Sequence, residues 1–270
     1  MGHAEDAPHS THSVRAGYLV ERHDGVVTVT LDRPDRLNAL DWGLRLGLEE
    51  LWGEIAGDSA VRCVVITGAG RGFCAGADAE DLAAPRRPRG EGLDDELAFL
   101  PGRRLAVPVV AAINGVCAGG GLHFVADADI VIAGRAASFV DPHVSVGQVS
   151  GVEPTSLALR VPLAALLRMA LLGRHEQLDA DAALRHGLVS EVVADDQLLV
   201  RAHEIGAAVA SGSPAAVAAT RRVLRELERS VLEPAVALGW EAVQRHWAHP
   251  DAQEGPQAFA ERREPRWGEP

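Results

Sequence analysis

Three consecutive glycines stand directly before an apolar segment that carries one histidine. The segment reads CAGGGLHFVAD over residues 117–127, with the glycines at 119–121 and an imidazole at His123. Glycine allows tight turns and lets the backbone approach a ligand closely. The first N–H groups of a helix have no partner within the helix, so they can point at a ligand that carries negative charge. The pattern predicts a turn that opens a buried helix and places a titratable side chain beside backbone donors.

A second stretch of small residues has the same construction. The apolar run CVVITG at 63–68 leads into RGFCAGADAEDL at 71–82, where the tripeptide AGA at 75–77 predicts a turn and Asp78 a polar helix start. Two such turns at the ends of neighbouring strands can each direct one N–H at a shared oxygen. Fixed donors that meet negative charge as it develops form an oxyanion hole. The two segments together predict such a hole.

The elements that must hold these turns follow from hydrophobic periodicity. Alternating residues predict paired strands at 18–24 and 26–32, and further strands are predicted at 107–114 and 128–134. A helical pattern begins after Asp41, a plausible cap, whereas 84–96 is rich in Pro, Gly and charge and predicts a loop. Strand–helix–strand units of this spacing favour an α/β fold with crossover connections.

The chain divides by pattern into three parts. We predict a disordered lead-in at 1–16, an α/β core at 17–195 and a helical C-terminal region at 196–270, because from about residue 155 the sequence is mostly Ala/Leu/Arg-rich with helical periodicity.

Composition and charge exclude several classes of protein. The 270 residues carry a formal net charge of −12, so we expect neither nucleic acid nor an anionic membrane as a partner. The sequence has three cysteines with no CxxC pair and no zinc-like spacing, which favours the reducing cytoplasm and no metal site. The first residues do not have the pattern of a signal peptide, and no apolar run approaches the ~20 residues that span a bilayer.

At this point the sequence resembles a known family. GFCAGAD, followed by INGVCAGGGLHFVADADIVIA, is similar to the paired signature of the crotonase (enoyl-CoA hydratase/isomerase) superfamily. Three further stretches resemble the family in the same order: LDRPDRLNAL at 31–40, LLGRHEQLDADAALRHGLVSEVV at 171–193 and EGPQAFAERREP at 254–265.

The resemblance implies a spiral of ββα repeats with a C-terminal helical trimerisation region that assembles homotrimers or hexamers. It implies an acyl-CoA substrate, with coenzyme A present only as part of the thioester and no cofactor bound permanently. The thioester oxygen would be held by the N–H groups of Ala77 and Gly120. The pantetheine and nucleotide would lie near Arg36, Leu37, Ala75 and Asp78, and Phe259 and Arg262 would complete the CoA site, often from a neighbouring subunit.

One position departs from the family pattern at the CoA site. Many relatives place a lysine just after the first motif, whereas this chain has Glu80, which cannot attract a CoA phosphate. Nucleotide affinity is then expected to be weaker, or to come from arginines: Arg36, Arg86, Arg87 or Arg262.

The hydratases of this family use two glutamates, and this sequence has neither. The first position holds His123 and the second His143. Imidazole can act as an acid or a base near neutral pH. We expect His123, in the first turn of a helix, to be mostly neutral, because the positive end of the helix dipole disfavours imidazolium. The two histidines are predicted to form an acid–base pair.

Neighbouring side chains are weaker candidates for the site. Glu153 can orient an imidazole if its loop folds back, although a helix N-terminal charge is the favoured interpretation. Asp141 can brace the loop of His143. Trp42 and Glu241 can line the acyl pocket, although ordinary helix packing and a solvated face are favoured for them.

Three functions stay open from the sequence. The first is an enoyl-CoA hydratase/isomerase-type lyase that stabilises a thioester enolate. The second is a carbon–carbon bond hydrolase of β-diketones or ring ketones, because a few family members use histidine for that reaction and the dipeptide PH at 142–143 resembles their arrangement. The third is a non-catalytic acyl-CoA-binding protein.

Overall fold

The computed structural model describes residues 11–15, 17–84 and 92–268, in which strands and helices alternate. The strands are Thr11–Arg15 (β1), Tyr18–His23 (β2), Val26–Leu31 (β3), Cys63–Gly68 (β4), Gly72–Cys74 (β5), Val109–Ile113 (β6), Val116–Ala118 (β7), Ile130–Gly134 (β8), Ser138–Val140 (β9), Gln177–Asp179 (β10) and Glu191–Val193 (β11). The helices are Trp42–Ala56 (α1), Ala79–Ala83 (α2), Leu93–Glu96 (α3), Pro101–Arg104 (α4), Leu122–Asp127 (α5), Val152–Ser156 (α6), Leu163–Leu172 (α7), Ala180–Arg185 (α8), Leu198–Ala210 (α9), Pro214–His246 (α10) and Asp251–Ala260 (α11).

The larger sheet supplies the scaffold. Its strand order is β1-β2-β3-β4-β6-β8-β11, antiparallel from β1 to β3 and parallel from β3 onward. The central strands β4 and β6 are almost entirely buried, as expected for parallel strands covered on both faces. The helix α1 packs Leu44, Leu48 and Trp52 into the main core, and Asp41 caps it by accepting a hydrogen bond from the N–H of Leu44 at 2.7 Å.

The smaller sheet carries the turns singled out in the sequence. Its order is β10-β9-β7-β5, with β5, β7 and β9 parallel and β10 antiparallel to β9. The carboxyl ends of neighbouring parallel strands lie at one edge of a sheet. The segments that follow β5, β7 and β9 therefore meet there.

Some expectations about local structure were wrong. Thr11–Arg15 form a strand against β2, so this part of the lead-in predicted to be disordered is ordered. The strand pairs antiparallel with β2 along its full length, from Thr11 opposite Arg22 to Arg15 opposite Tyr18. Within the predicted loop at 84–96, residues 93–96 form a helical turn, and β10 and β11 interrupt a region that the pattern describes as helical. Residues 1–10, Ala16 and 85–91, which include Arg86 and Arg87, lie outside the described residues.

After β11 the described chain is helical to Ala260, in α9, α10 and α11 with a short 3-10 turn at Asp195–Gln197. No helix within the described ranges has the length and apolar content needed to cross a bilayer.

Candidate active site

The two glycine-containing turns lie side by side because their strands pair. Cys74 of β5 and Cys117 of β7 are partners in the parallel register, so the turn at 75–77 and the glycines at 119–121 leave the sheet together. Gly76 has a φ of +88°, which favours glycine, and a Cβ built there would lie 2.9 Å from the carbonyl oxygen of Ala118 and 3.0 Å from the nitrogen of Gly120. The contact between the turns excludes a side chain at this position.

The backbone nitrogens of Ala77 and Gly120 lie close together where the two turns meet. Around Ala77 the backbone hydrogen bonds are made by its neighbours: Leu40 N–H donates to Gly76 at 2.8 Å and Asp78 N–H to Leu40 at 3.0 Å. Neither of these two hydrogen bonds uses the N–H of Ala77. A Cβ built on Gly120 would lie 3.6 Å from that nitrogen. The geometry is compatible with the predicted oxyanion hole, whose function stays a prediction.

His123 is the second residue of α5, and its ring is bound on one side. Its Nε2 lies 3.0 Å from Oε1 of Glu153, and its ring edge contacts the buried ring of Phe99. The side chain lines a cavity of about 1340 Å³ between α5, the 92–106 segment and α10. In the part of the chain that the structure describes, no group bonds Nδ1 of His123.

His143 begins a 3-10 turn directly after β9 and lies between two carboxylates. Its Nδ1 is 2.6 Å from Oδ1 of Asp141, and its Nε2 is 3.4 Å from Oε1 of Glu153. The hydroxyl of Ser150 donates to the second oxygen of Asp141. Burial by itself lowers the pKa of His143, but the charges of Glu153 and Asp141 outweigh it and raise the pKa from 6.5 to about 9. The imidazole is consequently charged at neutral pH.

Glu153 lies in the first turn of α6, as the favoured interpretation from the sequence has it, and it also lies between the two imidazoles. The residue is only 5% exposed. Burial would raise the pKa of its carboxyl, but the imidazoles of His123 and His143 more than offset that and lower it below its usual range. The result is a row of alternating groups, Asp141–His143–Glu153–His123, that ends at the cavity. Within the described ranges, no group of three or more His, Cys, Asp or Glu side chains is arranged to hold a metal ion.

The residues assigned to CoA by resemblance lie near the first turn, and most are engaged in the fold. Asp78 is buried, caps α2 through the N–H of Glu80 at 3.1 Å and pairs with Arg33 at 3.0 Å. Arg36 pairs with Glu80 at 2.9 Å. Leu37, in a left-handed conformation with φ of 50°, accepts a hydrogen bond from the N–H of Ala75 at 3.0 Å.

The other candidates lie apart from this row. Phe259 and Arg262 line a second cavity of about 360 Å³, near the loop of His143, and Phe259 is exposed. Glu241 lines the cavity of His123 and pairs with Arg245 along α10. Trp42 begins α1, and its backbone N–H donates to Asp81 at 2.7 Å. The structure does not bring Trp42, Phe259 or Arg262 to the two histidines.

Two contributions escaped the sequence reasoning. Ser150 orients Asp141 across nine positions, and Phe99 contacts His123 from the 92–100 segment. Neither stands in a recognisable motif. The contact between Asp141 and His143 does have a signal in the sequence, because the tripeptide DPH places a carboxylate two residues before an imidazole.

The comparisons with known proteins agree on one family. The family model described as enoyl-CoA hydratase/isomerase matches residues 21–270. The enoyl-CoA hydratase EchA19 of Mycobacterium tuberculosis is 34% identical over 92% of this chain and 95% of its own length. The (E)-benzylidenesuccinyl-CoA hydratase of Thauera aromatica is 35% identical over 91% of this chain and 96% of its own.

A solved structure gives the same result for the fold. EchA1_1 from Mycobacterium paratuberculosis superimposes with a TM-score of 0.82 at 31% identity, over 97% of this chain and 99% of that one. The α/β fold with parallel sheets and a helical C-terminal region, expected from the resemblance, is confirmed.

Proposed function

Because this chain belongs to the enoyl-CoA hydratase/isomerase family, we propose that it is a lyase that adds water to an enoyl-CoA thioester. The N–H groups of Ala77 and Gly120 hold the thioester oxygen, and His123 handles the proton of the water. The observation that carries the proposal is the contact between Nε2 of His123 and the buried carboxylate of Glu153. That contact fixes the tautomer in which Nδ1 has the lone pair.

The proposed reaction uses the row of alternating groups as follows. Nδ1 of His123 takes a proton from water while the hydroxide adds to the carbon β to the thioester. The electrons of the double bond move onto the carbonyl oxygen, which the two backbone donors stabilise as an enolate. The enolate then collapses, its α carbon takes the proton from His123, and one water has been added. His143 stays charged between its carboxylates and offsets the buried charge of Glu153.

The test is the mass of the product after incubation with a panel of 2-enoyl-CoA and 3-oxoacyl-CoA thioesters. A gain of one water on an enoyl-CoA, lost in His123→Ala, supports hydration. Thioesters that bind but return unchanged would contradict hydration and would support an acyl-CoA-binding protein. Binding is measured separately by calorimetry, so that loss of chemistry and loss of affinity are distinguished.

A second candidate is hydrolysis of a carbon–carbon bond in a β-diketone. The same activated water would add to the second carbonyl carbon of the β-diketone, the one whose oxygen is not held by the two backbone donors. The bond between that carbon and the α carbon would break, its electrons would form the enolate in the oxyanion hole, and protonation would give a carboxylic acid and a ketone or thioester. The observation that favours it is Glu153 itself, because a carboxylate bound to two imidazoles suits activation of water against a carbonyl.

The charges near the first turn also bear on the second candidate. The sequence contains no lysine, and Arg36 is paired with Glu80. Because the charge of Arg36 is already balanced by Glu80, it attracts a CoA phosphate less strongly, which suits a substrate without CoA. Adding free cyclic 1,3-diketones to the panel tests the idea: a ring-opened acid supports it, and recovery of every diketone contradicts it.

We further propose that the chain assembles as a homotrimer or a pair of trimers. Exposed apolar residues recur at intervals of four on two helices: Leu163, Leu167 and Leu171 of α7, and Val223, Leu227 and Val231 of α10. Exposed apolar rows of this kind are typical of surfaces that contact another subunit. Sedimentation equilibrium tests it, and a monomer at micromolar concentration would contradict it. The sparse cysteine content still supports the cytoplasm as the proposed location.

A further inference from the structure

Arg45 of α1 lies over the ring of the aromatic residue that contacts His123. Its Cζ is 4.8 Å from the centroid of the Phe99 ring, within the range of a cation–π contact. The same guanidinium donates from Nη2 to the carboxylate of Glu96 at 2.8 Å and to the carbonyl oxygen of Glu96 at 3.2 Å. One side chain thus holds both the backbone and the aromatic ring of the segment that forms one wall of the cavity.

Phe99 has further contacts within the core. The residue is fully buried, its carbonyl accepts a hydrogen bond from Nε1 of Trp52 at 2.7 Å, and its ring meets Phe124 edge-on at 5.5 Å. The Phe99 ring also meets the imidazole of His123 edge-on, at 6.4 Å between centroids and 72° between planes. A shift of the Phe99 ring would therefore be transmitted directly to the imidazole.

The guanidinium has an unusual feature. Its Nε is buried and has no hydrogen-bond partner among the described residues. An unsatisfied buried donor destabilises a fold, and an apolar side chain of similar length would avoid that cost. Packing alone does not account for an arginine here. What an arginine provides and an apolar residue does not is the combination of hydrogen bonds from Nη2 to two oxygens of Glu96 with a planar cation over Phe99.

We propose that Arg45 is a positioning residue of the acid–base site: through Glu96 and Phe99 it sets the orientation of the His123 imidazole. The inference rests on the proposed function of His123 as the base. Its effect is on the placement of the ring that takes the proton, so it changes turnover more than affinity.

The experiment compares Arg45→Met with Arg15→Met in the full chain. Arg15 also pairs with a glutamate of α1, Glu54, at 2.8 Å, but it has no contact with Phe99. Arg45→Met is expected to lower kcat about 10-fold or more while KM changes less than about twofold. Arg15→Met is expected to leave both constants unchanged.

A second readout needs no turnover. The 1H–15N correlations of the His123 ring, assigned by their loss in His123→Ala, are expected to shift in Arg45→Met and Phe99→Leu and to stay in place in Arg15→Met. If Arg45→Met does not fold, Glu96→Gln is the milder variant, with a smaller shift in the same signals. A folded Arg45→Met or Glu96→Gln with unmoved ring signals overturns the proposal. Full activity in His123→Ala would instead overturn the proposed function and leave the positioning result standing.

Discussion

Nε2 of His123 and Oε1 of Glu153 lie 3.0 Å apart, the distance of a direct hydrogen bond between an imidazole and a carboxylate. The two residues belong to different short helices, α5 and α6, and are separated by thirty positions. A carboxylate that accepts the Nε2–H leaves Nδ1 as the nitrogen with the lone pair. The contact therefore supports an assignment that neither residue suggests alone: His123 as the base and Glu153 as the group that orients it.

Glu153→Gln should abolish most of the proposed chemistry while preserving the shape of the site. The amide keeps an oxygen acceptor but loses the charge that stabilises an imidazolium at His123 during proton transfer. We expect kcat to fall by about 100-fold or more, with a small effect on KM. Steady-state kinetics with the best substrate of the panel measures it. Glu204→Gln, an exposed carboxylate paired with Arg201 on α9, is the control. Equal rates in the two variants would remove Glu153 from the mechanism.

The stability contributed by His143 should decline as the solution becomes alkaline. Its pKa is raised from 6.5 to about 9 in the folded protein, mainly by Glu153 and then by Asp141, which outweigh burial. A raised pKa means stability that is fully present below pH 6.5 and lost as the pH rises through 9. The shift corresponds to roughly 3 kcal/mol of unfolding free energy. Urea unfolding of the wild type and of His143→Gln at pH 6 to 10 should show their difference narrowing over that interval.

The wild type must be compared with His143→Gln because buried thiols also make the free energy of unfolding decline at alkaline pH. Burial raises the pKa of Cys63 and Cys74 to about 12. In alkali these thiols ionise more readily in the unfolded chain than in the folded protein, so the free energy of unfolding falls. His143→Gln retains these cysteines, and their contribution cancels in the difference. A difference that stays constant from pH 6 to 10 would show that His143 does not hold a proton more tightly in the folded state.

The oxyanion hole can be tested by removing one donor. Gly120→Pro deletes an N–H without changing charge, and we expect a loss of about 100- to 1,000-fold in kcat, equivalent to about 3–4 kcal/mol of transition-state stabilisation. Ala79→Pro is the matched control: it deletes an N–H at the first position of α2, where proline is tolerated, and Asp78 before it is already extended at φ −64° and ψ 135°. A folded Gly120→Pro that turns over at the normal rate would exclude this donor.

Local features of the fold could be predicted from the sequence, because short apolar runs and small-residue turns are written in consecutive positions. The strands that begin at Tyr18, Val26 and Cys63 and the capping role of Asp41 are examples. The parallel register that places Cys74 of β5 beside Cys117 of β7 could be anticipated only through the family resemblance. Such a register depends on crossover connections that no local pattern determines.

The position of Glu153 between His123 and His143 could not be predicted from the sequence in the same way. It requires the chain between Asp141 and Ser150 to fold back, and that path depends on a hydrogen bond between these two side chains and on distant packing. The polar strand at 11–15 was missed for a similar reason, since its partner is the edge of a sheet rather than a feature of its own sequence. Tertiary contacts decide both cases.

The packing that sets the position of Glu153 leads to a last prediction. Gly239 of α10 touches Gly151, the residue before α6, and a Cβ built on Gly239 would overlap the carbonyl oxygen of Gly151 and lie 2.7 Å from its carbonyl carbon. The obstacle is backbone, so no side-chain rotation relieves it. In Gly239→Ala the two helices must separate, and Glu153, two residues beyond the contact, must move with α6.

We expect Gly239→Ala to lose about 1–3 kcal/mol of stability, as overpacked interiors do, and to lower kcat by a larger factor than it changes KM. Gly53→Ala is the control, because a Cβ on that residue of α1 meets no atom within 4 Å and alanine favours a helix by up to about 1 kcal/mol. Thermal unfolding and steady-state kinetics of both variants decide the matter. If Gly239→Ala is destabilised but turns over normally, the α6–α10 contact holds the fold without setting the geometry of Glu153, and the carboxylate must be positioned by its two histidines alone.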